Sequence, residues 1–392
     1  MKYFIYCPSK LATGGTELLH QLCYSLSQKG IENYMVYTGT PTATPTAERF
    51  LKYNVKYVTE YVDSSDSILV LPETQIHQID LCQKGIVLVW WLSVNNYWTI
   101  YNIKDITADI FQFSKKNNVF HFVQSQYAKD YLMNVLGINT CYFLQDYIND
   151  DIISQGLHKA PLTERENFVL FNPKKGYRNI INLITNSRSD IKWIPIQNMT
   201  PSEVSELMCH SKVYIDFGHH PGKDRIPREA AICGCNIITN RLGSAKFYED
   251  VSIPEQYKIE DMENVDYILN QIYDLIDNYQ ERNKLYHTYR YNIFKEKEEF
   301  EKQLDDMINL FCSAAESLNH QPSPIQTEQY SDMLNIMNEL LSYASETVDI
   351  ITNSTKISQP DMTKFLLNID YFTNLIRESV YSIINDMDKR NS

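Results

Sequence analysis

Short apolar runs and amphipathic stretches take turns along the first 150 residues. Tyr3–Cys7, Asn33–Tyr37, Ser67–Leu71, Ile86–Trp91, His121–Val123 and Cys141–Phe143 read as buried strands. The spacers between them suit crossover helices, the pattern of βαβ units around a parallel sheet. After the first run, Leu18, Leu19, Leu22 and Leu26 recur at helical spacing, from an opening near Thr16 to a stop at Lys29-Gly30. The polar, aperiodic stretch 149–167 breaks the alternation and predicts a linker. A second series starts at Phe168–Phe171. It runs through Trp193–Ile196, a helix from Thr200 to about Cys209, the strand Val213–Asp216, a helix from Pro227 to about Cys233, the strand Asn236–Thr239 and a helix over Val265–Tyr279. Two α/β domains, 1–150 and 165–290, follow from this pattern.

Beyond them, Ile293, Phe300, Leu304, Met307 and Phe311 mark one face of a helix over 291–312, and the Pro-punctuated stretch 319–325 predicts a second linker. Two amphipathic helices within 326–386 then form a helical hairpin, one carrying Met333, Met337 and Leu341 and the other Ile369, Phe372 and Ile376. Two helices bury little surface alone, so the apolar side packs on the parent chain or on a second copy.

Charge narrows the classes. The 392 residues carry 36 Lys and Arg against 49 Asp and Glu, a net of −13, which argues against a general grip on nucleic acid. Ten acidic and five basic side chains from Glu328 onward argue against docking on anionic lipid, leaving membrane contact peripheral at most. The longest apolar run, 85–94, is half the ~20 residues of a membrane span. Eight scattered cysteines, with one Cys-Gly-Cys at 233–235, fit reduced thiols in a cytoplasm and match no zinc pattern.

An anionic ligand must therefore be held by a local group of cations. The loop 9–17 (SKLATGGTE) places Gly14 and Gly15 between the first strand and first helix, where amides and the helix dipole favour negative charge. In 216–239 (DFGHHPGKDRIPREAAICGCNIIT) a strand ends at Asp216 and a loop carries His219, His220, Lys223 and Arg225 ahead of a helix. A guanidinium can grip two phosphate oxygens and an ammonium can neutralise charge beside helix amides. Glu229 suits two sugar hydroxyls, or simply complements the helix dipole. His219 and His220 suit acid–base work or a phosphate contact, or only shape the loop. Trp91, Asn95 and Asn96 follow a buried strand, and rings and amides of this kind suit a sugar acceptor.

The run 229–238 (EAAICGCNII) resembles the "EAxACGxPVI" segment of GT-B glycosyltransferases, the GT4-like enzymes in particular. Gly14-Gly15-Thr16-Glu17 resembles their "GGxE" loop, 168–179 (FVLFNPKKGYRN) their "GR…KG" turn, and 121–132 (HFVQSQYAKDYL), with Ser125 at the turn, a late strand and helix of their first domain. The likeness spans residues 1 to about 312. It implies an α/β fold of two Rossmann-like domains (GT-B), with 291–312 returning to the first domain and the C-terminal α-helical hairpin as an extension.

The resemblance also implies glycosyl transfer from a nucleotide-sugar to a hydroxyl acceptor, with retention at the anomeric carbon and no catalytic metal. No cofactor is expected beyond the nucleotide-sugar as co-substrate. Gly14, Gly15, Lys175, Lys223, Arg225 and Glu229 are the expected donor contacts, Glu229 on the ribose and Lys175 on the diphosphate. Asp216, His219 and His220 are the expected catalytic groups, and Trp91, Asn95 and Asn96 the acceptor contacts. The family's first glutamate falls at position 221, which is Pro221; Asp216 takes its place if the loop through Gly222 is an insertion, or the site has been rebuilt. A nucleotide-sugar epimerase and a non-catalytic partner subunit are the alternatives.

Overall fold

The computed structural model describes residues 1–40, 42–100, 118–160 and 164–319. The expected hairpin over 326–386 lies outside the described residues. Two parallel sheets organise the rest. The first contains β1 (Lys2–Pro8), β2 (Glu32–Thr38), β3 (Tyr57–Val58), β4 (Ser67–Pro72), β5 (Ile86–Trp91), β6 (Val119–Val123) and β7 (Tyr142–Phe143), in the order β3-β2-β1-β4-β5-β6-β7. The second contains β8 (Glu166–Phe171), β9 (Lys192–Pro195), β10 (Ser211–Asp216), β11 (Asn236–Asn240) and β12 (Lys258–Ile259), in the order β12-β11-β10-β8-β9.

Both faces of each sheet are covered, so the strands are near-continuous apolar runs, as parallel sheets demand. Ile68, Leu69, Val70 and Leu71 are all fully buried although successive side chains point to opposite faces. In the first sheet the strand order reverses between β1 and β4, which opens a crevice at the strands' carboxyl ends. The helix His287–Asn319 leaves the second sheet and crosses to the first: Ile293 packs in the second core, while Phe300, Leu304, Met307 and Phe311 pack in the first. No helix among the described residues is long and apolar enough to cross a membrane.

Three local differences from the sequence reading have physical causes. The stretch expected as a linker contains a helix, Asp150–His158, capped where the Asn149 side chain accepts the Ile152 amide at 3.1 Å and favoured by Asp150 and Asp151 in its first turn. The helix expected from Pro227 opens at Arg225, since a proline in the first turn gives up no intrahelical bond. The two-residue strands β3 and β12 are too short to show a period.

Candidate donor and acceptor cleft

A cleft of about 840 Å³ lies between the carboxyl end of the first sheet and the loop and helix that follow β10. Its first wall includes the amino end of the helix Gly14–Gln28. Thr13 caps that helix in a reciprocal arrangement: its side chain accepts the Thr16 amide at 3.3 Å, while the Thr16 hydroxyl accepts the Thr13 amide at 2.9 Å. The cap occupies the third helical amide, so Gly14 and Gly15 present the first two at the cleft. A Cβ on Gly14 would lie 3.5 Å from Arg225 Cδ, which places the two domains' elements in direct contact.

Arg225 and Glu229, one turn apart on the helix Arg225–Ile232, supply the second wall. Arg225 Nη1 donates to Glu17 Oε2 at 2.6 Å, but its buried Nε and Nη2 groups have no acceptor. Glu17 is buried beneath the helix amino end and also accepts from Arg49 at 3.0 Å and the Tyr53 hydroxyl at 2.9 Å. Burial works to raise its carboxyl, yet Arg225, Tyr53, Arg49 and Lys52 together hold it below the usual range. The Glu229 carboxyl is pushed up by burial against the pull of Arg225 and Arg228. Among the described residues no hydrogen bond or ion pair engages it. The sequence reading assigned Glu17 no part in the site; the only signal was its place in the "GGxE" loop.

The other expected site residues divide. Lys223 lines the cleft, but its ammonium is turned inward to Glu296 at 2.9 Å and Gln145 at 3.2 Å. Lys175 does not line it: its ammonium contacts Asp224 and lies 3.7 Å from Asp216. Asp216 is sequestered, accepting from the Tyr214 hydroxyl at 3.0 Å. His220 is fully buried between Asp216 and Asp224, with Nδ1 2.9 Å from Asp224. His219 stands at the surface beside the rings of Trp98 and Tyr127, and burial with the neighbouring His220 and Lys175 lowers its basicity. None of the three residues read as catalytic lines the cleft, because the loop after β10 folds Asp216 and His220 inward. Asp216, His220 and Asp224 are spaced as metal ligands could be, but the Lys175 ammonium already supplies the positive charge there.

Trp91 is a correction. Trp90 and Trp91 point to opposite faces of β5, both faces are covered, and Trp91 is buried with its indole N–H donating to His121 Nδ1 at 3.1 Å. It cannot meet an acceptor. Of the two amides, Asn96 lines the cleft and Asn95 does not.

Sequence missed the ion cluster that closes the domains. Arg228 is fully buried and donates to Asp146 at 2.5 Å and Glu296 at 2.7 Å, joining the helix Arg225–Ile232 to the end of the first domain and to the crossing helix. Arg228 Nη2 also reaches the Lys223 carbonyl at 2.8 Å. On the far side of the interface, Asp250 accepts the Gln126 and Tyr127 amides at 2.8 and 3.0 Å, and burial pushes its carboxyl up to about 6.

Two facing Rossmann-like domains joined by a crossing helix, with a cleft lined by glycine amides, an arginine and a glutamate, define a GT-B fold. Solved structures agree on that fold. Sucrose-phosphate synthase from Thermosynechococcus elongatus is similar at 11% identity over 80% of this chain and 99% of that one, with a TM-score of 0.59. HepE of Anabaena, solved with UDP-glucose, matches over 79% and 99% at 9% identity and a TM-score of 0.57. A glycosyltransferase from Rickettsia africae matches over 79% and 97% at 11% identity and 0.55. No protein-family profile matches the sequence, and no curated protein matches it.

Proposed function

We propose that the protein transfers a hexose from a nucleotide-sugar to a hydroxyl of a glycan, lipid-linked or protein-linked saccharide, without a metal, with retention, and in the cytoplasm. The observation that carries this reading is Arg225. Two of its N–H groups are buried without an acceptor at the cleft, beside the Glu229 carboxylate and the Gly14-Gly15 helix end. A buried donor left unpaired costs roughly 1–3 kcal/mol, and a diphosphate oxygen would satisfy it. In that arrangement Arg225 and the Gly14 and Gly15 amides stabilise the charge that develops as the nucleoside diphosphate leaves. Glu229 accepts from the ribose hydroxyls. Lys223 and Lys175 reach the phosphates only by exchanging a carboxylate partner for the ligand.

A thermal-shift screen of UDP, GDP, CDP, CMP and their sugars tests this. One nucleotide family is expected to stabilise the protein by about 2–4 kcal/mol at saturation, and Arg225→Ala and Glu229→Ala to abolish the shift. Equal shifts in wild type and variants would remove the site assignment. Pro221 at the first-glutamate position, with Asp216 and His220 buried, favours a second reading as a non-catalytic partner subunit. Nucleotide binding without sugar transfer or donor hydrolysis would support that one.

A further inference from the structure

We infer that Glu73 holds a hydroxyl of a neutral, polyhydroxylated acceptor in the first-domain wall of the cleft. The inference rests on the glycosyl-transfer reading above. Glu73 follows Pro72 at the carboxyl end of β4, at the crevice and across from Arg225 and Glu229. The residue lines the cleft although it is only 2% exposed. Leu92 fixes it in place, donating its amide to Oε2 at 2.9 Å. A carboxylate offers about four acceptor sites, and among the described residues no side-chain donor meets this one.

The surroundings make that carboxylate, held by main-chain amides alone among the described residues, informative. The main neighbours of the short 3-10 helix Glu73–Leu81 that Glu73 opens are β4, β5 and the helix Val94–Ile100, and these carry no charged side chain; Tyr97 is their titratable group. Burial therefore dominates and pushes the Glu73 carboxyl up to about 7, against the pull of the Leu92, Glu73 and Ser93 amides. Holding a carboxyl in such a place without a counter-ion is costly, and perturbed acids of this kind concentrate where ligands bind. The charged groups sharing the cleft are Glu17, Arg49, Lys223, Asp224, Arg225 and Glu229. Among the described residues Arg49 is the cation on this wall, and it is committed to Glu17. Gln75, Ser93 and Asn96 add amide and hydroxyl groups beside Glu73. Such a wall favours a sugar's hydroxyls over a phosphorylated or carboxylated acceptor.

The test uses the full chain with the donor found by the thermal-shift screen and two acceptor panels, p-nitrophenyl glycosides and their 6-phosphates. Transfer to neutral glycosides is expected, with acceptor kcat/KM rising from about pH 6 to about pH 8 as the carboxyl ionises. Glu73→Gln keeps an oxygen for the Leu92 amide. It should raise acceptor KM roughly 10–100-fold and flatten the pH profile, while donor KM for hydrolysis by water moves less than about twofold and Glu73→Asp recovers part of the loss. Unchanged acceptor KM and pH profile in Glu73→Gln would overturn the inference, as would preference for the 6-phosphates or no transfer to any acceptor although the donor is hydrolysed. Failure to bind any nucleotide-sugar would instead overturn the glycosyl-transfer reading.

Discussion

Two arginines three residues apart on one helix, Arg225 and Arg228, reach across the same domain interface and meet opposite situations. Arg228 is sealed from solvent, and its guanidinium is spent on Asp146, Glu296 and two main-chain carbonyls, those of Asp224 and Lys223. Arg225 lines the cleft, makes one ion pair to Glu17, and keeps two N–H groups without an acceptor. Helical geometry turns residues three apart toward neighbouring but distinct surroundings. The contrast shows how one short helix both closes the domains and leaves donors at the cleft: the saturated ion cluster joins the domains, and the unsaturated one is the contact proposed above for a diphosphate.

The sharpest way to break this comparison is Arg228→Met. It leaves Asp146 buried without its ion-pair partner and Glu296 with Lys223 alone, and urea unfolding should show a loss of about 3–5 kcal/mol. Adding Asp146→Asn should recover part of it, because one stranded charge is gone. A loss below about 1 kcal/mol would mean that the cluster does not hold the interface. Arg225→Ala should behave differently. Glu17 keeps Arg49 and the Tyr53 hydroxyl, so stability should change little, while nucleotide diphosphate affinity measured by calorimetry falls by about 1.5–3 kcal/mol. Similar stability losses in both variants would erase the distinction.

Gly222→Ala tests the closure itself. A Cβ there would run into the Leu92 carbonyl and the Gln124 side chain, near the interdomain bond from the Val94 amide to the Pro221 carbonyl at 3.0 Å. Overpacking of this kind costs about 1–3 kcal/mol. Small-angle scattering should show a larger radius of gyration if the domains part; an unchanged radius and stability would show that the loop yields instead.

The smallest effect is the response to acid. Burial raises the Asp146 carboxyl, but Arg228, Lys223 and Arg225 outweigh it and hold the group below its ordinary value. Its stabilisation is therefore present above the ordinary carboxylate range and lost as pH falls through that range toward the depressed value. Glu17 acts in the same direction. Asp250 acts oppositely: raised to about 6, it costs stability as pH rises from the ordinary aspartate value to about 6. Urea midpoints followed against pH should fall on acidification in wild type and fall less in the Asp146→Asn, Arg228→Met variant.

Much of the fold was legible because parallel strands buried on both faces must be apolar throughout. The runs at Ser67–Leu71 and Ile86–Trp91 say as much without coordinates. That Glu229, Arg225 and the Gly14-Gly15 turn line one cleft was legible because helix amino ends and strand carboxyl ends are fixed by local sequence. Asp216 and His220 misled because sequence shows that a residue follows a strand, not which way the loop folds its side chain. Trp91 misled for a related reason: its neighbourhood in the chain reaches the cleft, but the strand's alternation turns its ring into the core.

The sequence by itself determined the alternation of strands and helices, the helix over 291–312 and the loops and helix ends that line the cleft. Those depend on periodicity and capping, which act over a few residues. Tertiary structure alone decided that Arg228 meets Asp146 and Glu296, that Glu17 joins Arg225, and that Glu73 lines the cleft with, among the described residues, only main-chain amides on its carboxylate. The first two are meetings of residues 68 to 208 positions apart, and the surroundings of Glu73 exist only once the walls of the cleft are in place; burial and charge pairing are set by neighbours in space.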